Sequence, residues 1–123
     1  MANQNLLAMN VVASTASVNG DDMTNLSGAG AVFLVNITTL TGTSPTLTFT
    51  IQGKHPVSGV TYTILTSAVF AATGANLLRV FPGLGAVANQ AVNDILPRTF
   101  RVIAVTGGTV TNATYTVEVA LVD

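Results

Sequence analysis

One residue in three along this chain is β-branched: 19 Thr, 17 Val and 5 Ile, together 41 of 123. A second substituent on Cβ restricts the first side-chain torsion, which weakens helix and suits the pleated surface of a strand. The pattern agrees with the content. In 46-TLTFTIQ-52, Leu47, Phe49 and Ile51 alternate with Thr46, Thr48, Thr50 and Gln52, and in 60-VTYTI-64, Val60, Tyr62 and Ile64 alternate with Thr61 and Thr63. The clearest alternation is the last one, with Tyr115, Val117, Val119 and Leu121 set against Thr114, Thr116 and Glu118. A period of two sends one set to a core and the other to an outer face.

Seven such runs, at residues 10–18, 31–40, 46–54, 60–66, 77–81, 98–106 and 113–122, predict an all-β fold. Strands this short and this evenly spaced point to a single antiparallel β-sandwich, jelly-roll or immunoglobulin-like, of about seven to eight strands. A chain of 123 residues fits one domain, 1–123, with 1–18 either a first strand or an N-terminal arm. Turns are expected at 41-TGTSP-45, 53-GKHPVSG-59 and 107-GGTVTNA-113, where Gly permits positive φ and Pro45 fixes the entry to the next strand. Residues 20–30 read as a surface loop, and 82–97 as a helical turn or an irregular excursion.

Charge is scarce. Asp, Glu, Lys and Arg make up 7% of the chain and the formal net charge is −1, against about 25% charged residues in an ordinary soluble domain. Four basic residues cannot form a phosphate-tracking stripe, so no nucleic-acid partner is expected. No apolar run approaches the roughly 18 residues of a membrane helix, so no membrane partner is expected either. The start, 1-MANQNLLAMN-10, lacks the basic region of a signal peptide, and the absence of Cys suits folding in a reducing cytoplasm.

Candidate chemistry is thin. His55 is the sole histidine, and the acids at 21, 22, 94, 118 and 123 show no motif spacing around it, so a solvated loop histidine is the stronger reading. Ser58 nearby does not make a triad, which is defined by geometry. The string 83-GLGAVA-88 has the glycine spacing of a dinucleotide turn, but Pro97 arrives where a βαβ helix would have to run. Asp21 and Asp22, with Asn19, Thr24 and Asn25, lack the alternating ligands and closing Glu of a calcium loop. Asn25, Asn36 and Asn112 begin glycosylation sequons that abundant Thr produces on its own. A sugar platform would want exposed aromatics; the chain has no Trp, and Tyr62 and Tyr115 both sit at core-like positions. No enzyme, cofactor or metal is expected.

Threonine is wettable without charge, so a threonine face accepts a protein neighbour without the several kcal/mol needed to strip water from an ion. Arg79, Arg98 and Arg101 either cap the sandwich edge, pair with Asp94 or Glu118, or anchor an interface, where Arg is enriched and Lys depleted. With contact regions placed in 1–18 and 82–97, the interface candidates are Asn5, Leu6, Leu7, Arg79, Leu84, Asn89, Arg98 and Arg101.

The blocks IQGKHPVSGVTYTILTSA at 51–68, LLRVFPGL at 77–84 and NDILPRTFRV at 93–102, in that order, resemble small structural proteins encoded among the virion genes of tailed bacteriophages. The likeness covers the C-terminal two thirds of the chain and leaves out the first 30 residues. It implies a β-sandwich, made in the host cytoplasm, that joins the virion as a capsid decoration or cement protein. Its partners would be the major capsid protein and its own copies, as a homotrimer. A place in the tail tube or baseplate is the first alternative it implies, and a carbohydrate-binding or adhesin module on the same fold is the second reading of the residues. The resemblance carries over no catalytic residue.

Overall fold

In a computed structural model, which describes residues 4–25, 28–55 and 57–122, the β-branched runs merge into strands longer than their turn residues suggest. The elements are β1 (Gln4–Ser14), β2 (Val18–Asn19), β3 (Met23–Thr24), β4 (Gly30–Lys54), β5 (Thr61–Thr66), β6 (Gly74–Val80), β7 (Ala91–Val92) and β8 (Thr99–Val122). All belong to one sheet with the path β1-β8-β4-β6-β7; β2 and β3 add to β8, and β5 adds to β4.

Pairings are antiparallel except one. β7 runs parallel to β6, Arg79 opposite Ala91 and Val80 opposite Val92, so the sheet is mixed rather than antiparallel throughout. The excursion after β6 doubles back and returns in the same direction, held where the Arg79 amide donates to the Gln90 carbonyl at 2.9 Å. The segment expected to be strandless therefore contributes a short strand, and so does the 20–30 loop, whose Met23 and Thr24 pair with Phe100 and Thr99. Of the N-terminal stretch 1–18, Gln4–Ser14 forms β1 along β8, and residues 1–3 lie outside the described part.

The larger correction concerns the two expected turns at 41–45 and 107–113. Both lie inside strands: β4, of 25 residues, and β8, of 24, pair from Gly30 opposite Val122 to Gly53 opposite Phe100. Register shifts between Ile37 and Thr39, Thr41 and Gly42, and Thr43 and Thr46 break the ribbon at its middle. Bulges of this kind bend a strand and raise its twist. Here glycine permits close backbone approach instead of chain reversal: a Cβ on Gly42, at φ 143°, would lie 1.9 Å from the Thr109 carbonyl oxygen, and one on Gly108, at φ 65°, 2.1 Å from that of Ser44.

Alternation holds on both sides of the bend. Phe33, Val35, Leu47, Phe49 and Ile51 of β4 are fully buried, as are Phe100, Val117 and Leu121 of β8. Phe33 pairs in register with Val119 and Phe100 with Gly53, at opposite ends of the ribbon, yet their rings meet edge to face with centroids 6.1 Å apart. Phe49 and Tyr115 meet the same way at 5.2 Å. Both halves of the ribbon thus supply one core. Tyr115 is buried as its spacing predicts, whereas Tyr62, expected in the core, is 38% exposed, because β5 is an edge strand with little to cover it.

Candidate functional site

The core side of the β1-β8-β4-β6 region is covered; its other side is not. The run 31-AVFLV-35 on β4 is apolar at every position, a pattern of strands buried on both faces. Ala31, Phe33 and Val35 point into the core, which leaves Val32 and Leu34 on the outer face. Register extends that face across four strands. Leu7 of β1 lies opposite Glu118 of β8, Glu118 opposite Leu34 of β4, and Leu34 opposite Leu77 of β6. One row further on, Ala120, Val32 and Arg79 stand side by side. Leu7 is 56% and Leu77 43% exposed. Between them is a shallow depression of about 530 Å³ lined by Leu6, Leu7, Val32, Leu34, Glu118 and Ala120.

The interface candidates divide over this geometry. Asn5 falls opposite Ala120, on the row that ends at Arg79, and Leu7 is on the neighbouring row. Leu6 instead packs half-buried against the core. Arg79 also borders a second depression, of about 350 Å³, which it shares with Phe70, Leu77, Asn89 and Gln90 beside the outer edge of β6. Asn89 is exposed there with φ 63°, and Leu84 is half-buried earlier in the same excursion. Arg98 and Arg101 lie at the other end of the ribbon, away from these. Arg98 is exposed, and the Arg101 Nε donates to Gln52 Oε1 at 2.9 Å. Pairing of arginine with Asp94 or Glu118 is not what forms. Among the described residues the ion pair is Lys54 with Asp22, at 2.8 Å, with side chains 37% and 42% exposed, where solvent screening leaves it little weight.

The candidate chemical groups are dispersed. His55 is exposed, its ring 5.2 Å from that of Tyr62, and the Ser58 hydroxyl accepts from the Val60 amide. Asp22 turns to Lys54. The Asn25 amide group is buried, donating to the Gly28 and Leu96 carbonyls at 2.7 and 3.0 Å and accepting from the Gly28 amide at 2.8 Å. That side chain ties Gly28 to the segment before β8, and its amide nitrogen is already committed within the fold. No group of three or more His, Asp or Glu side chains converges among the described residues. Residues 83–88 run as an irregular segment, exposed except for half-buried Leu84, and are followed by β7 and not by a helix. No helix among the described residues is long and apolar enough to cross a membrane.

Val32, Leu34, Leu77, Glu118 and Ala120 of the outer face escape a reading by alternation, which assigns such positions to solvent. Their signal is the failure of alternation in 31-AVFLV-35 and 119-VALV-122: apolar residues on both faces of strands whose outer side no element among the described residues covers. The apolar residues of the three resemblance blocks, by contrast, include Ile51, Leu65, Leu78, Leu96 and Phe100, all in the core. No protein-family model, curated protein or solved structure matches this chain.

Proposed function

We propose that this chain is a non-enzymatic structural subunit of a bacteriophage particle, a capsid decoration protein that binds the major capsid protein and its own copies and stiffens the head. In this reading the bent β4–β8 ribbon folds its halves face to face as a two-layer β-sandwich, and the aromatic contacts across the bend are the seam between layers. The protein is made in the host cytoplasm and works on the virion surface.

The uncovered outer face carries the argument. Fully burying a leucine is worth roughly 1.5–3 kcal/mol, so a row that leaves Leu7 and Leu77 about half exposed stabilises any assembly that covers it. Contiguous apolar surface of this kind marks interaction sites. A charge content of 7% supports the same reading, since few ions have to be desolvated when the exterior is covered. The resemblance of the three sequence blocks to virion proteins supplies the kind of assembly. Lattice contacts fall to the excursion at 82–97 and the groove beside it, where Arg79, Asn89 and Gln90 offer donors without strong local charge.

A clamp that binds only the closed shell stabilises it by linkage. Particles of the encoding phage, prepared with and without this protein, test the proposal: those without it are expected to release their genome at a temperature several degrees lower. Equal survival contradicts the cement role. Recovery of the protein in six-fold rings with purified tails would move it to the tail tube or baseplate.

A further inference from the structure

The outer face formed by β1, β6, residues 30–37 of β4 and residues 115–122 of β8 carries two charges among its described residues, Glu118 and Arg79, and they occupy related positions. Glu118 lies on β8 in the row of Leu34; Arg79 lies on β6 in the row of Val32. Two strand spacings and two residues separate them, about 12 Å at ordinary sheet dimensions. The midpoint of that separation falls on β4, between Val32 and Leu34. A two-fold axis in the plane of the face, passing through that midpoint at right angles to the line joining the charges, exchanges the two positions.

We infer that this face pairs with the same face of a second copy of the chain, so that each Glu118 meets the other copy's Arg79 while Val32 and Leu34 pack against their own counterparts at the axis. Such an isologous contact forms every interaction twice. It explains why the one acid on the face sits in an otherwise apolar row, opposite Leu7 and Leu34, where it would oppose association with a purely apolar partner. The β1 edge beside this face is not the route: it carries register shifts after Leu7 and after Val11, with Ala13 at φ 52°, and irregularities of this kind blunt an edge against strand addition.

The self-complementarity is two-fold, so the copies associate as pairs and not with the three-fold order that the virion resemblance implies. The face measures roughly 20 Å by 20 Å, so a pair buries about 800 Å² in all, below the range of stable interfaces; the association is weak, with half-association expected on the order of 10–100 µM. This inference concerns the isolated protein and stands or falls without the capsid.

Sedimentation equilibrium of the purified chain from about 1 µM to 1 mM in 0.15 M salt reads it directly. The wild type is expected to move from monomer to dimer across that range. E118R and R79E should each weaken dimerisation at least tenfold, by placing like charges opposite one another twice, and the double variant E118R/R79E should recover to within about threefold of wild type. Both side chains are exposed, so thermal melts of all four proteins should agree, which separates loss of pairing from loss of fold. A wild type that stays monomeric, a trimer, single variants that associate like wild type, or a double variant that fails to recover would each overturn the inference.

Discussion

The Ser67 hydroxyl is buried, accepting from the Phe49 amide at 2.9 Å and donating to the Ala68 carbonyl at 2.8 Å. It fastens the segment after β5 to the central strand. Ser67→Ala removes the partner of a buried amide at a fully buried Phe49 and should cost about 1–3 kcal/mol in denaturant unfolding, with an unchanged denaturant slope. Tyr115 is the opposite case. Its ring is 1% exposed and its hydroxyl finds no hydrogen-bond partner among the described residues, so burial pushes its pKa up from 10.0 to about 12. The folded state therefore holds this proton more tightly than the unfolded chain. Stability thus falls as the pH rises from about 10 through about 12, by about 2–3 kcal/mol in all, because the buried hydroxyl resists ionisation. Tyr115→Phe should remove that alkaline loss and at pH 7 should leave stability unchanged or raise it by up to about 1 kcal/mol, since no bond is broken. Chemical unfolding of both proteins at pH 7, 10 and 11.5 checks the sign.

At the scale of elements, the β4–β8 ribbon depends on its bend. A Cβ at Gly42 meets the Thr109 carbonyl at 1.9 Å, whereas one at Gly85 has no heavy atom within 4 Å. Gly42→Ala should cost about 2 kcal/mol or more and Gly85→Ala within about 0.5 kcal/mol, measured by thermal or chemical unfolding. The same bend marks where sequence ceases to be a guide. Alternation located the buried residues on either side of it correctly, Leu47, Phe49 and Ile51 before the 53–59 turn and Tyr115 to Leu121 at the end, because period two is imposed by the pleat itself. It could not distinguish a reversal from a bulge, since 41-TGTSP-45 and 107-GG-108 carry the residues that both require. Only the long-range partner decides: Thr43 opposite Thr109 and Thr46 opposite Gly107 keep the two strands in one ladder through the irregularity. The parallel strand at Ala91–Val92 is illegible for a similar reason, being two residues long and dependent on its long-range pairing with β6. Tyr62 was misplaced because alternation reports a face and not whether that face is covered.

For the whole molecule, the chain's poverty in ions and its bare apolar face are two views of one property. Among the described residues the single ion pair, Lys54 with Asp22, is surface-exposed and contributes little, so stability comes from the shared core of the ribbon and not from charge. The exterior is left free to be matched to protein. Leu7 and Arg79, both interface candidates, stand on this face, but that they share it, with Leu34 and Glu118 between Leu7 and Leu77, becomes visible only through register. The central claim is that protein covers this face in the working state. Carbene footprinting compares it in the dilute free chain, near 1 µM, and in purified phage particles. The account predicts strong labelling of Leu7, Leu34 and Leu77 in the free chain and protection of all three in the particle, with exposed Val57 serving as a reference. Equal labelling of the three leucines in both samples, or absence of the protein from the particles, would contradict it.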